Sequence, residues 1–397
     1  MENVSKKAYT TLTLIFIAYI ICFIDRSAMN IALAYVGKDF HLNPAALGGV
    51  ASAFFFSYSL MQIPGGWLAD KVGSKKMVIF SLIMWSFFTI MTGFAWSIAS
   101  LLVIRVLFGI GEGGFPTASL KQIAEEFPKE TRSQATTVTI SSNYVGSALA
   151  PVIIAPIIAY TGWRNAFHIM GIIGLTFVVI YFLFERPIAQ KKQAEATDSK
   201  KEKFSWKAVD PRIWSFFFII FGLNIITKGL DTWMPTYLLT ARKINLAGIA
   251  WLVPLPSIAA GVGAFISGFI MVKFFKNKER WLISSMAALT MIFMYGMYAS
   301  KSLAFIIVFE VLAYFVKSIA FSASFGFIAQ IISQKAYGSS IGIVNFGGQA
   351  AGFIAPMIIG WVVATTGGSY ASAFLFLVGS AAMAFIATLT IRNRKTA

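Results

Sequence analysis

Charge is scarce in this chain. Only 12% of its 397 residues are Asp, Glu, Lys or Arg, against 57% hydrophobic. A soluble domain carries roughly twice that charged fraction, so a soluble fold is excluded. Mean hydropathy of +0.74 and repeated long apolar runs point to a polytopic helical membrane protein. Cysteine is nearly absent: Cys22 stands alone, which excludes a disulfide framework and a thiol metal site. The two histidines, His41 and His168, sit near the ends of apolar segments without a ligand cluster, so no metal centre is expected. There is no glycine loop ending in Lys-Ser/Thr and no nucleophile-base pattern, and hence neither a catalytic residue nor an organic cofactor is expected.

Acids are also few, 16 against 33 basic residues, giving a net charge of +17. Such basicity can signal nucleic acid, but its distribution argues otherwise. With twelve spans marked, 23 of the 33 basic residues fall on the side that holds both termini, five on the opposite side and five inside spans. This is the positive-inside asymmetry of an inner-membrane protein with cytoplasmic termini. It leaves no need for a nucleic-acid partner.

The expected spans are 10–36, 45–70, 76–96, 99–126, 133–161, 164–185, 212–241, 246–275, 280–299, 302–333, 338–366 and 370–391. Several exceed the roughly 20 residues needed to cross, which implies tilt or extension beyond the bilayer. The first run lacks a small-residue cleavage site and reads as a retained helix. The long polar stretch 186–211 reads as a cytoplasmic linker, dividing the chain into six-helix units 1–185 and 212–397. An internal repeat supports that division. APVIIAPIIAYTG (Ala150 to Gly162) and APMIIGWVVATTG (Ala355 to Gly367) align without a gap at an offset of 205, each in the fifth span of its half. The expected fold is therefore an all-α membrane protein of two parallel six-helix bundles around a midplane site.

The charges inside spans carry the functional argument. Asp25 and Arg26 fall in the middle of YIICFIDRSAMNIALAYV, where a charge costs at least a few kcal/mol unless it faces a polar cavity. Arg105 and Glu112 are seven apart, two turns, and so share one face of the fourth span. Glu112 comes about 20 Å below Ala99 at 1.5 Å per residue, near the midplane. Two acids and two arginines can thus meet in the first half. A buried carboxylate is a plausible proton acceptor, and the planar fork of arginine suits a substrate carboxylate. The alternative is that the four neutralise one another and hold helices together.

The loop GGWLADKVGSKK (Gly65 to Lys76), with Gly65, Gly66, Asp70, Lys71 and Gly73, resembles the signature gating loop of the major facilitator superfamily. Its glycines permit close helix approach, and Asp70 suits the positive end of a neighbouring helix. RVLFGIGEGG (Arg105 to Gly114) resembles the fourth-helix motif of that superfamily, whereas the matching second-half loop GFIMVKFFKNKE lacks the Asp. Taken together, FIDRSAMNIAL, FFFSYSLMQIPGGWLAD, GEGGFPTASLKQIAEEFP, NYVGSALAP and VNFGGQAAGFIAP resemble the anion:cation symporter family. That family includes sugar-acid and hexuronate transporters, sialic-acid carriers and vesicular glutamate transporters. The resemblance implies alternating access, proton coupling through Asp25 and Glu112, anion binding by Arg26 with Arg105 nearby, and substrate contacts from Tyr58, Ser322 and Asn345. Phe325 stands where some relatives are expected to have tryptophan.

Gln62, one turn from Tyr58, and Asn143 in the fifth span are further candidates for substrate contact, with interhelical hydrogen bonding as the alternative for all of these polar groups. The second half adds Lys228 with Asp231, three apart, and Glu310 with Lys317, seven apart. Lys228 and Lys317 read either as a second anion pole opposite Arg26 or as halves of two locally neutral pairs. The expectation is a monomeric secondary transporter importing an organic anion, most simply a sugar acid, with H⁺. Na⁺ coupling stays open. So does a proton-driven exporter, although YVGSALAPVIIAP departs from the exporter pattern in the fifth helix. A sensor on the same scaffold lacks a signalling extension.

Overall fold

A computed structural model describes residues 5–185, 210–332 and 334–391. Most of the expected linker, 186–209, lies outside these residues, as do 1–4 and 392–397. The described residues form thirteen helices: α1 (Lys6–Asp39), α2 (Pro44–Val72), α3 (Ser74–Gly93), α4 (Ile98–Gly113), α5 (Phe115–Glu126), α6 (Lys129–Phe184), α7 (Arg212–Thr240), α8 (Leu246–Leu252), α9 (Pro254–Phe274), α10 (Glu279–Ala299), α11 (Leu303–Ile331), α12 (Gln334–Thr365) and α13 (Tyr370–Leu389).

Local chemistry sets the helix starts. Ser5 and Asn43 cap α1 and α2 by accepting from Ala8 N and Ala46 N at 3.1 and 2.9 Å. Asn245 does the same for α8 through Gly248 N, and Ser97 with Ser100 forms a capping box on α4. Each cap satisfies backbone donors that a helix end leaves unpaired.

Among the described residues, eleven stretches are long and apolar enough to cross a bilayer. One of them, Gln134–Phe184, runs for 51 residues, about 77 Å at 1.5 Å per residue and far beyond a hydrocarbon core of about 30 Å. It is two crossings joined at Gly162, whose φ of 81° is open to glycine without strain. Gly146 packs on Ile20 and Phe23 of α1, and Trp163 donates to Asp39 at the far end of α1 at 2.9 Å. The first part of α6 therefore runs alongside α1. The second part returns to the start of α1, where Thr11 donates to Glu185 at 3.0 Å. The fourth and eighth crossings are each broken in two, at Gly114 between α4 and α5 and at Val253 before Pro254.

The repeat is visible in the backbone. Gly367 lies 205 residues after Gly162 and also has positive φ, 65°. The threonines before them make the same bond: Thr161 Oγ1 donates to Ile157 O at 2.8 Å, Thr366 Oγ1 to Val362 O at 2.7 Å.

The apolar interior is continuous at one end and divided at the other. At the Gly162 end a single cluster joins residues from both halves, among them Ile31, Leu47, Trp163, Leu230, Ile306 and Ile359. At the end bearing the chain termini there are two clusters. One holds Leu14, Met77, Ile123 and Tyr181; the other holds Ile213, Ile283, Ile328 and Val344. The joined end is held tightly by α2 against α12. A Cβ on Gly48 or Gly360 would come within 2.5 or 2.4 Å of Pro356 O or Pro44 O. The halves thus meet at the Gly162 end and part toward the termini.

Candidate functional site

Phe54 of α2 organises the buried charges of the first half. Its ring lies 5.1 Å from the Arg26 guanidinium and 5.3 Å from that of Arg105. Arg26 also stacks on Phe23 and Tyr58, both at 4.7 Å, and Arg105 on Phe108 at 4.8 Å. Arginine is weakly hydrated and planar, so aromatic faces can replace part of its solvation. Glycine makes this approach feasible: a Cβ at Gly109 would lie 2.2 Å from Ser57 Oγ and 2.5 Å from Phe54 O. The glycines of RVLFGIGEGG are where α4 lies against α2 and α3.

Arg26 on α1 donates through Nη2 to Glu112 Oε1 on α4. The Glu112 side chain is 1% exposed and its Oε2 has no partner, nor has Arg26 Nε. Asp25, 3% exposed, accepts from Thr89 Oγ1 of α3. Arg105, also 3% exposed, has no carboxylate within 4.0 Å among the described residues, and its Nε is unpartnered. The four expected residues lie within electrostatic reach of one another, but of their side chains only those of Arg26 and Glu112 form an ion pair. Arg26, Arg105 and Glu112 each keep one buried atom without a partner, and such an atom is costly.

The other expected residues divide. Tyr58 is buried and gives its face to Arg26. Gln62 and Ser322 are half-buried, and Asn345 is exposed. Asn143 is half-buried with Oδ1 unpartnered. Ser324 bonds back to Ala320 O at 2.7 Å and serves its own helix.

In the second half, neither Lys228 with Asp231 nor Glu310 with Lys317 forms an ion pair within 4.0 Å. Asp231 accepts instead from the Tyr314 hydroxyl at 2.7 Å. Lys317 Nζ lies 4.6 Å from the Tyr314 ring, and Lys228 Nζ reaches α2 to lie 5.0 Å from the Phe55 ring.

At the loop, Gly73 takes φ 97° between α2 and α3, and a Cβ on Gly65 would meet Gly114 Cα at 2.5 Å. Gly66 is half-buried beside Thr117. Asp70 is exposed near the end of α2. It pairs with Lys121 of α5 at 2.7 Å, and Lys121 also donates to Ala69 O at 3.0 Å. Lys71 lies over Trp67 at 5.0 Å. Beneath the loop, Glu185 accepts from Thr11 and from Gln122 at 3.0 Å, and Lys75 donates to its carbonyl.

Thr89 and Tyr314 are not singled out by the sequence. Tyr314 lies one turn from both Glu310 and Lys317, so the shared face of α11 contained the signal. Thr89 is one of five hydroxyl residues in α3 and has no charge to mark it.

Comparison with known proteins agrees with this architecture. Residues 15–309 match the model of the Major Facilitator Superfamily. A probable sulfoacetate transporter of Cupriavidus necator is 32% identical over 70% of this chain and 68% of its own length. A D-galactonate transporter of Escherichia coli is 29% identical over 67% of each chain. The crystal structure of a bacterial homologue of the human lysosomal transporter Spinster, inward-facing and occupied, superposes with TM-score 0.84 at 20% identity over 98% of both chains. The chain belongs to the Major Facilitator Superfamily and is a multi-span membrane transporter, not an enzyme.

Proposed function

We propose that this protein is a proton-coupled symporter that brings an organic anion of the sugar-acid class across the cytoplasmic membrane, acting as a monomer by alternating access. The observation that carries the proposal is the Arg26–Glu112 contact, in which both partners keep unused bonding atoms inside an aromatic pocket. The relatives support the anion class: besides those for sulfoacetate and D-galactonate, a hexuronate transporter of Bacillus subtilis is 28% identical over 70% of this chain.

In the proposed cycle a substrate carboxylate draws the Arg26 fork away from Glu112, with Arg105 supplying a second positive group. Glu112 then lies buried without a contacting cation, which is costly, so its release is matched by uptake of a proton. Asp25, held by Thr89, is the second coupling acid. Tyr58, Gln62, Asn143, Ser322 and Asn345 furnish the remaining polar contacts, and the Gly65–Gly73 loop serves the rocking of the halves.

The positive-inside distribution supports cytoplasmic termini. With that orientation the parted end faces the cytoplasm, and the structure is the inward-facing state. The two-unit division at a 186–211 linker is part of the same proposal.

The test is uptake into proteoliposomes by Asp25→Asn and Glu112→Gln variants. Each loses accumulation driven by a pH gradient but keeps substrate exchange. Unchanged pH-driven accumulation in both would remove the proton assignment.

A further inference from the structure

The second half holds two ammonium groups that the symport scheme does not use. Lys228 and Lys317 lie on α7 and α11, with spacings to Asp231 and Glu310 that allow local pairing. Pairing at contact distance does not occur. Asp231 takes the Tyr314 hydroxyl instead, and Tyr314 also donates to Thr227 O at 3.2 Å. Glu310, 3% exposed, has no cation within 4.0 Å among the described residues, and Lys317 is only 7% exposed. An ammonium group brings three donors and is strongly hydrated, so leaving it buried against an aromatic face satisfies it poorly.

The direction of Lys228 matters most. It leaves its own half and reaches Phe55 of α2, the residue next to Phe54, on which Arg26 and Arg105 stack. It lies within electrostatic reach of Arg26, Asp231 and Glu112, and Lys317 within reach of Asp231 and Lys228. Positive groups from the two halves thus face each other across the Phe54–Phe55 step. Like charges brought this close repel and are relieved by an anion between them.

We infer that the transported species is a dianion with acid groups at its two ends, one taken by Arg26 in the first half and the other by Lys228, backed by Lys317, in the second. This rests on the organic-anion reading and narrows it. A ligand gripped at both ends ties the halves together, so closing around it is favoured only when both charges are present. A monoanion of equal length leaves Lys228 unanswered.

Galactonate and galactarate provide the test, since both are six-carbon chains and one end is an alcohol in the first and a carboxylate in the second. Binding of each to the purified full chain in nanodiscs is measured by calorimetry, for wild type, Lys228→Met and Lys228→Arg. Wild type binds the dicarboxylate about ten- to hundred-fold more tightly, the effect of one charge-assisted bond. In Lys228→Met the ratio of the two affinities falls to about one, and in Lys228→Arg the preference returns, which separates loss of charge from loss of fold. A wild type that binds galactonate as well as or better than galactarate overturns the dianion assignment and leaves the organic-anion reading standing. An unchanged ratio in Lys228→Met overturns the role of Lys228. Binding of neither, with neutral galactose bound instead, overturns both.

Discussion

Arg26 of α1 and Glu112 of α4 meet side chain to side chain although 86 residues separate them. Their contact is incomplete on both sides, with Glu112 Oε2 and Arg26 Nε left without partners. A purely structural pair would be expected to saturate these atoms, because buried polar groups are nearly always satisfied. The contact has instead the form of a bond that can be exchanged for a substrate.

Replacement of the arginine separates charge from geometry. Arg26→Lys keeps the positive charge but loses the planar fork and its stacking on Phe23, Phe54 and Tyr58. Affinity for the anion is expected to fall about ten- to hundred-fold, the worth of a charge-assisted hydrogen bond. Equilibrium binding to the purified protein measures it, and wild-type affinity in Arg26→Lys would show that charge alone suffices.

Gly109 should not tolerate a side chain. In Gly109→Val the new atoms meet Ser57 Oγ and Phe54 O, so α4 must move from α2 and carry Arg105 away from Phe54 and Glu112 away from Arg26. A loss of about 1–3 kcal/mol is expected for such overpacking, read as a lower melting temperature in detergent together with weakened anion binding. Gly49 of α2, half-buried but with open space where a Cβ would stand, should accept alanine without either change.

The Asp70–Lys121 pair is expected to matter little to stability. The Asp70 side chain is 73% exposed and that of Lys121 30%, and such surface pairs are worth about 0–1 kcal/mol. A double-mutant cycle on melting with Asp70→Asn and Lys121→Gln should give a coupling below about 1 kcal/mol. The proposed gating role predicts slower transport by the same variants, so a large coupling with unchanged rate would reverse the assignment.

Much of the architecture is legible in the sequence. Apolar length and the Ala-Pro/Thr-Gly repeat anticipated the crossings, and the backbone repeats at Gly162 and Gly367 because only glycine enters their left-handed conformation easily. The acid–arginine group was legible because helical spacing puts Arg105 and Glu112 on one face and cost marks any charge in a span. Asp231 and Lys228 show where that logic stops. Spacing of three permits a pair, but Tyr314 from another helix competes for the carboxylate, and contacts between helices leave no periodic trace. Lys121 likewise carries no mark of its partner in the sequence, and only the packing of α5 on the loop brings it to Asp70.

Outside the membrane, Asp210 offers a pH prediction. Arg212 donates to it through Nη2 at 2.6 Å and through its backbone N at 2.9 Å, and these bonds, led by the guanidinium, hold its carboxyl below the usual carboxylate range. Its stabilising contribution is present above about pH 3.9, where the unfolded carboxyl is ionised, and is lost as pH falls through the lowered folded value. Asp210→Asn should therefore flatten the acid side of the melting-temperature profile and leave the neutral side nearly parallel to wild type.

Substrate-dependent proton uptake in proteoliposomes tests the central claim most directly. Sugar acids, mono- and dianionic, are added to wild-type vesicles with sodium present and absent while external pH is followed. The account predicts external alkalinisation with a sugar acid, independent of sodium and lost in Glu112→Gln. Alkalinisation only with neutral sugars, or anion uptake that needs sodium and moves no protons, would contradict it.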